Sequence, residues 1–177
     1  RLPRERQTLL FSATMPSGIK AIARMYMRDP VEVSVGATVS AVAACKQELY
    51  TCSPREKTML MKWLLRQEDG QVLVFTRTKR GADELYRELR RGSHTVAVLH
   101  ADRSQEERRQ AMQRFRDRAV QVLVATDLAS RGLDVDGIAR VDNYDVPPPA
   151  EDYLHRIGRT ARAQREGIAS TFATVED

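Results

Sequence analysis

From Gln71 onward, short apolar runs alternate with stretches whose apolar residues recur at the helical period. That alternation predicts a parallel α/β sheet and argues against a β-sandwich or a helical bundle. Gln71–Phe75 (QVLVF) is apolar almost throughout, as a strand covered on both faces must be. Ala82, Leu85, Tyr86 and Leu89 then fall at i, i+3, i+4 and i+7, one apolar stripe on a charged helix over Lys79–Arg91. Residues 95–99 predict the next strand. Ser104-Gln-Glu-Glu107 is a capping box opening a helix with Ala111, Met112 and Phe115 inward. Residues 120–125 predict a third strand, and 139–144 and 168–174 two more, with a helix over 150–161 between them. Upstream, 46–51 predicts a strand and 54–66 a helix with Met59, Leu60, Trp63 and Leu64 on one face. Right-handed crossovers bring the C-terminal strand ends to one edge, where open α/β sheets bind ligands. The loops after Phe75, Leu99, Ala125 and Tyr144 are therefore the ones to inspect for chemistry.

Residues 1–35 stand outside this pattern. They offer a short apolar run at 8–11, a helix at 17–27 and a short strand at 31–35, followed by small residues over 36–44. Two strands and one helix cannot bury a core of their own. The expected organisation is the tail of a preceding domain over 1–35, a linker over 36–43 and one complete domain over 44–177.

Length agrees, since 177 residues exceed one domain of roughly 150 residues by only a little. With 42% hydrophobic and 30% charged residues, neither disorder nor a disulfide scaffold fits. No apolar run approaches the roughly 18 residues of a membrane span, so the expected setting is the cytoplasm, with no membrane partner. The net charge is +5, and 24 of the 29 basic residues are arginine. Arginine grips phosphate bidentately, although the same excess also follows from genome composition. The excess is local: residues 76–118 carry +5 and residues 119–177 carry −4. Cys45 and Cys52 would lie on opposite faces of a strand, and neither shares a metal-ligand spacing with the three histidines, so no metal site is expected.

Four segments occupy the predicted strand ends. They are Phe75-Thr-Arg-Thr-Lys-Arg-Gly81, His100-Ala-Asp-Arg-Ser-Gln-Glu-Glu-Arg108, Ala125-Thr-Asp-Leu-Ala-Ser-Arg-Gly-Leu-Asp134 and His155-Arg-Ile-Gly-Arg-Thr-Ala-Arg162. Hydroxyls, helix N-terminal amides and arginines at the ends of adjacent parallel strands make an edge that binds phosphate. With Ser12-Ala13-Thr14 upstream, these segments resemble motifs III, IV, IVa, V and VI of the DEAD-box ATP-dependent RNA helicases, in the family's order and spacing over the length of the chain.

The resemblance implies a RecA-like parallel sheet with helices on both faces, and a set of roles. Arg159 and Arg162 match the arginine fingers that reach the ATP γ-phosphate; at i, i+3 they would share one helix face. Asp134 matches a carboxylate that binds a ribose hydroxyl, with Gly132 letting the backbone approach. His155 matches the residue that couples nucleotide state to domain closure. Thr78, Gly81, Gln105, Arg108 and Thr126 match positions that hold RNA backbone, and Arg131 one that ties the RNA and ATP sites together. Thr78 is equally readable as a helix N-cap, and Gln105 as a plain first-turn residue. Contacts of this kind read backbone and not bases, so the implied RNA binding is sequence-nonspecific and salt-sensitive.

Three positions depart from the family pattern: Ala101 in place of glycine, Gln164 in place of glycine, and Asp142 inside an otherwise apolar strand. The chain has no Gly-x-x-x-x-Gly-Lys-[Ser/Thr] loop and no Asp-Glu-Ala-Asp. ATP and Mg²⁺ are therefore expected to be held mainly by a domain one elsewhere in the parent chain, and this piece is expected not to hydrolyse ATP alone. Two other readings stay open here, a stand-alone RNA-binding or regulatory module and a DNA helicase of the same superfamily.

Overall fold

Alternate residues of the central strands go to opposite faces, and the two sets build two separate cores. In β2 (Gln71–Phe75), β3 (Val96–Leu99) and β4 (Val122–Ala125), the residues Leu73, Phe75, Ala97, Leu99, Leu123 and Ala125 join one cluster. Val72, Val74, Val96, Val98, Val122 and Val124 join the other. A strand side chain has a period of two, so an unbroken apolar run serves both faces at once. Each such fully buried Val or Leu contributes roughly 1.5–3 kcal/mol.

The computed structural model describes residues 3, 5–12, 15, 17–34, 45–130, 135, 137–148, 150–160 and 167–177. Three further strands, β1 (Cys45–Thr51), β5 (Ile138–Asn143) and β6 (Gly167–Ala173), complete a six-stranded sheet in the order β1-β6-β5-β2-β4-β3. Every pairing is parallel. β1 lies at one edge and pairs with β6 alone, while β3 forms the other edge beside β4.

Helices α2 (Lys57–Leu65) and α3 (Lys79–Arg91) cover one face through Met61, Leu64, Leu65, Ala82, Leu85 and Leu89. Helix α4 (Gln105–Arg116) covers the other through Ala111 and Phe115. On that same face, α6 (Ala150–Ile157) sets Ile157, Tyr153 and Leu154 against Cys45 and Ala169. The connections thus keep one hand: those moving toward β3 use one face and those returning use the other. A short helix, α5 (Asp127–Ser130), follows β4. These elements are the parallel α/β class that the periodicity predicts, with the helices on both faces that the resemblance implies.

Residues 1–36 form a unit apart from residues 37–177. It contains α1 (Ser17–Tyr26), which buries no residue. Neither predicted short strand forms among the described residues there: 8–11 and 31–34 are irregular, with Leu9, Phe11, Val31 and Val33 exposed. A strand without a neighbour leaves its backbone donors and acceptors unpaired, so apolar content alone does not make one.

Two further expectations are corrected. The apolar stripe of α2 is Lys57, Met61, Leu64 and Leu65, whereas Met59 and Trp63 are 66% and 51% exposed. Lys57 takes an inward position because its ammonium donates to the Tyr144 carbonyl at 2.8 Å and to Asp145 at 3.2 Å. The last helix ends at Ile157 instead of reaching residue 161. Gly158 weakens it there, and the Thr160 hydroxyl is drawn off to the Ile138 carbonyl at 2.7 Å.

Asp142 is paired within the sheet. It accepts from Arg140 at 3.0 Å, and the same guanidinium reaches Glu48 of β1 at 2.8 Å and Ser170 of β6 at 2.6 Å. Both cysteines are free thiols, Cys45 in the α6 cluster and Cys52 half-buried against the α2 and α3 core. No helix among the described residues is long and apolar enough to cross a membrane.

Candidate nucleic-acid interface and its anchoring

Strands β5, β2, β4 and β3 are consecutive neighbours, so the loops after Asn143, Phe75, Ala125 and Leu99 leave the sheet side by side. The chain departs β2 toward the α3 face and β4 toward the α4 face. Diverging exits from two adjacent strands open a crevice at their carboxyl ends. The strand ends are held tightly there: the Thr76 N–H donates to the Ala125 carbonyl at 3.0 Å, and the Thr126 N–H to Leu99 at 3.2 Å.

Thr78 opens α3 in an extended conformation, and its Oγ1 accepts the Gly81 N–H at 3.0 Å. It is therefore a helix cap. An oxygen that accepts the Gly81 N–H still carries its own proton, which remains available to an acceptor outside the helix. A Cβ at position 81 would sit 3.1 Å from that oxygen, so Gly81 keeps the cap uncrowded.

Ser104 and Glu107 form the reciprocal capping box at the start of α4, at 3.2 Å and 2.8 Å. Gln105 and Arg108 stand one turn apart on that helix, and Arg108 donates to Gln105 at 3.3 Å. Arg108 Nε is buried without a hydrogen-bond partner among the described residues. Beside them, Arg109 and then Gln110 pull the Glu106 carboxyl down to about 2. Ala101 is exposed and does not adopt a positive φ, so its backbone conformation does not itself call for glycine. His155 is exposed on α6, and Arg159 lies in the turn that follows. Arg159 therefore lies beyond the end of α6, and whether it pairs with Arg162 as expected falls outside the described residues. Arg131, Gly132, Asp134, Arg162 and Gln164 lie outside the described residues.

The residues that fix this edge are ones the sequence did not single out. Arg156 is only 2% exposed, and it donates from Nε and Nη2 to the two oxygens of Asp127 at 2.6 and 2.7 Å. Its Nη1 reaches Asn143 at 3.0 Å and the Asp145 carbonyl at 2.8 Å, and its guanidinium carbon lies 5.0 Å from the Phe75 ring centroid. One side chain thus ties α6 to the ends of β2, β4 and β5. The loops after β2 and β5 are tied again by the Arg77 N–H, which donates to Asp145 at 2.8 Å.

The family described as "Helicase conserved C-terminal domain" matches residues 56–164. The DEAD-box ATP-dependent RNA helicase CshA of Bacillus licheniformis is 44% identical over 98% of this chain. The E. coli DEAD-box protein SrmB, solved bound to regulator of ribonuclease activity A, is 37% identical with a TM-score of 0.72, over 75% of this chain and 79% of that one. S. cerevisiae Dbp5 bound to RNA and ADP BeF3 is 30% identical with a TM-score of 0.86, over 98% of this chain and 46% of that one.

This chain belongs to the DEAD-box helicases.

Its sheet is the RecA-like C-terminal domain of that family. The chain spans 36% of the length of the CshA relative. Within this DEAD-box domain, periodicity carried a signal for Arg156. It precedes Ile157 and falls three residues after Tyr153, on the inward stripe of α6.

Proposed function

We propose that this chain is the C-terminal half of an ATP-dependent RNA helicase, with residues 1–35 a remnant of domain one, 36–43 a linker and 44–177 the domain proper. It holds RNA backbone along the loops after β2, β3 and β4 and supplies arginines to ATP hydrolysis. The observation that carries this reading is the single edge shared by Thr78, Thr126, Gln105 and Arg108 on three neighbouring strand ends. Capped helix starts and arginines present donors to a phosphate chain without reading bases. Solved Dbp5 carries RNA in a protein of the same fold, which supports RNA as the partner.

ATP and its Mg²⁺ belong mainly to domain one in this reading. Of the nucleotide-facing set, Arg159 is the described member, and it is half-buried in a turn braced by its own N–H to the Arg156 carbonyl at 3.1 Å. Arg162, Gly132 and Asp134 would complete that set, and bound ATP would supply the phosphoryl group whose charge the arginines offset. His155, exposed on α6, would couple nucleotide state to closure, and Arg131 would join the two sites.

In the full-length protein, Arg159→Ala should lower RNA-stimulated ATP turnover by roughly 10³-fold while RNA binding is retained. Unchanged turnover overturns the finger assignment. Stimulation by single-stranded DNA equal to that by RNA would favour the DNA-helicase reading instead.

A further inference from the structure

Helices α3 and α4 carry the two halves of the proposed RNA track, yet they do not share a core. α3 packs on one face of β3 and α4 on the other, so the apolar clusters that hold them are separate. At the top of the edge strand, two ion pairs link their N-terminal ends directly. Lys79 of α3 donates to Asp102 at 2.5 Å, and one turn further along α3, Asp83 accepts from Arg103 Nη2. Asp102 and Arg103 belong to the loop that enters α4. The signs alternate, positive then negative on α3 and negative then positive on the loop.

His100 is wedged into the inner pair. It is 2% exposed, with Nε2 3.1 Å from Asp83 and 3.3 Å from Arg103 Nε. Arg103 also reaches Glu107, the residue that closes the capping box of α4. The chain of contacts therefore runs without a break from α3 to the first turn of α4. Burial opposes the Asp83 charge, but His100 and Arg103 outweigh it and hold the carboxyl below its usual range.

We propose that Asp83 and Arg103 are positioning residues that set the separation of the α3 and α4 N-termini, so that one strand engages Thr78 and the Gln105–Arg108 pair together. The inference rests on the RNA reading above. It makes Asp83, an acid beside a phosphate track, favourable to binding.

The test is anisotropy of a labelled ten-nucleotide uridine strand with this chain, over a series of potassium chloride concentrations. Each phosphate engaged on a single strand contributes roughly −0.7 to the slope of log affinity against log salt. Asp83→Asn and Arg103→Gln should each weaken binding and reduce the steepness of that slope by roughly 0.7 or more, because one cradle drops out of register. Arg103→Lys, which keeps the charge and one bond to Asp83, should restore most of both. A charge effect alone predicts the opposite for Asp83→Asn, since the variant is more positive. Tighter binding by Asp83→Asn, or an unchanged slope in both variants, overturns the proposal. A merely destabilising role lowers the folded fraction without changing the slope, and that outcome also overturns it. If the unaltered chain shows no salt-dependent binding, the RNA reading itself fails and the clasp's role with it.

Discussion

Arg156 and Asp127 form a bidentate ion pair in which the arginine is buried and the carboxylate is partly open to solvent, at 2% and 36% side-chain exposure. The asymmetry decides what each substitution does. Loss of Asp127 strands a guanidinium in the interior, whereas loss of Arg156 leaves a carboxylate that water can reach.

Asp127→Asn should therefore destabilise the domain by roughly 1–3 kcal/mol, less than for a fully buried pair because Arg156 keeps Asn143 and the Asp145 carbonyl. Replacing both residues, as in Asp127→Leu with Arg156→Met, should cost clearly less than the two single changes added together. Urea unfolding of the four proteins measures the coupling. Additive losses would mean that the pair is not the anchor described.

Asp142 gives the domain a pH dependence of unusual sign. Burial raises its carboxyl to about 6, against the pull of Arg140, so the folded state binds a proton that the unfolded state has released. Its contribution is fully present below about pH 4 and is lost as pH rises through 6. Relative to Asp142→Asn, the wild-type chain should lose roughly 2 kcal/mol of stability between pH 4 and pH 7. Denaturation midpoints of both proteins across that range check it, and parallel curves would refute it.

Thr78 caps α3, and one substitution separates that role from a phosphate-donor role. Asp is as good an N-cap as Thr, but its carboxylate only accepts and repels phosphate. Thr78→Asp should keep the thermal midpoint within a few degrees while weakening RNA binding by roughly tenfold or more. Thr78→Val should lose about 1 kcal/mol of stability as well as affinity. Undiminished binding by Thr78→Asp would leave Thr78 a cap and nothing more.

The strands of the sheet were legible because QVLVF and its counterparts have to serve two cores, and few other structures tolerate such runs. The starts of α3 and α4 were legible because Thr78 and Ser104 are capping residues at the right offset from the apolar stripe. What escaped was polar burial. Lys57 and Arg156 read as surface residues by composition, and only the carbonyls and carboxylates brought to them by distant strands make their inward placement affordable. The stripe of α2 was misread for the same reason, since a buried lysine at its first position shifts the inward face away from Met59 and Trp63. The charge clasp at Asp83 and Arg103 was equally hidden, because its members are joined by a loop geometry that spacing does not encode.

The pairing of β1 with β6 along its whole length, Cys45 with Gly167 through Thr51 with Ala173, bears on how the domain is made. Synthesis runs from the N-terminus, so β1 leaves the ribosome long before the strand that holds it exists. Strands β2, β3 and β4 can assemble in the meantime from segments close in sequence, while the closing contact is the most distant one in the sheet. A nascent domain therefore waits with one strand unplaced until β6 arrives, and a ribosome stalled before Gly167 would release a sheet whose first strand has nowhere to dock.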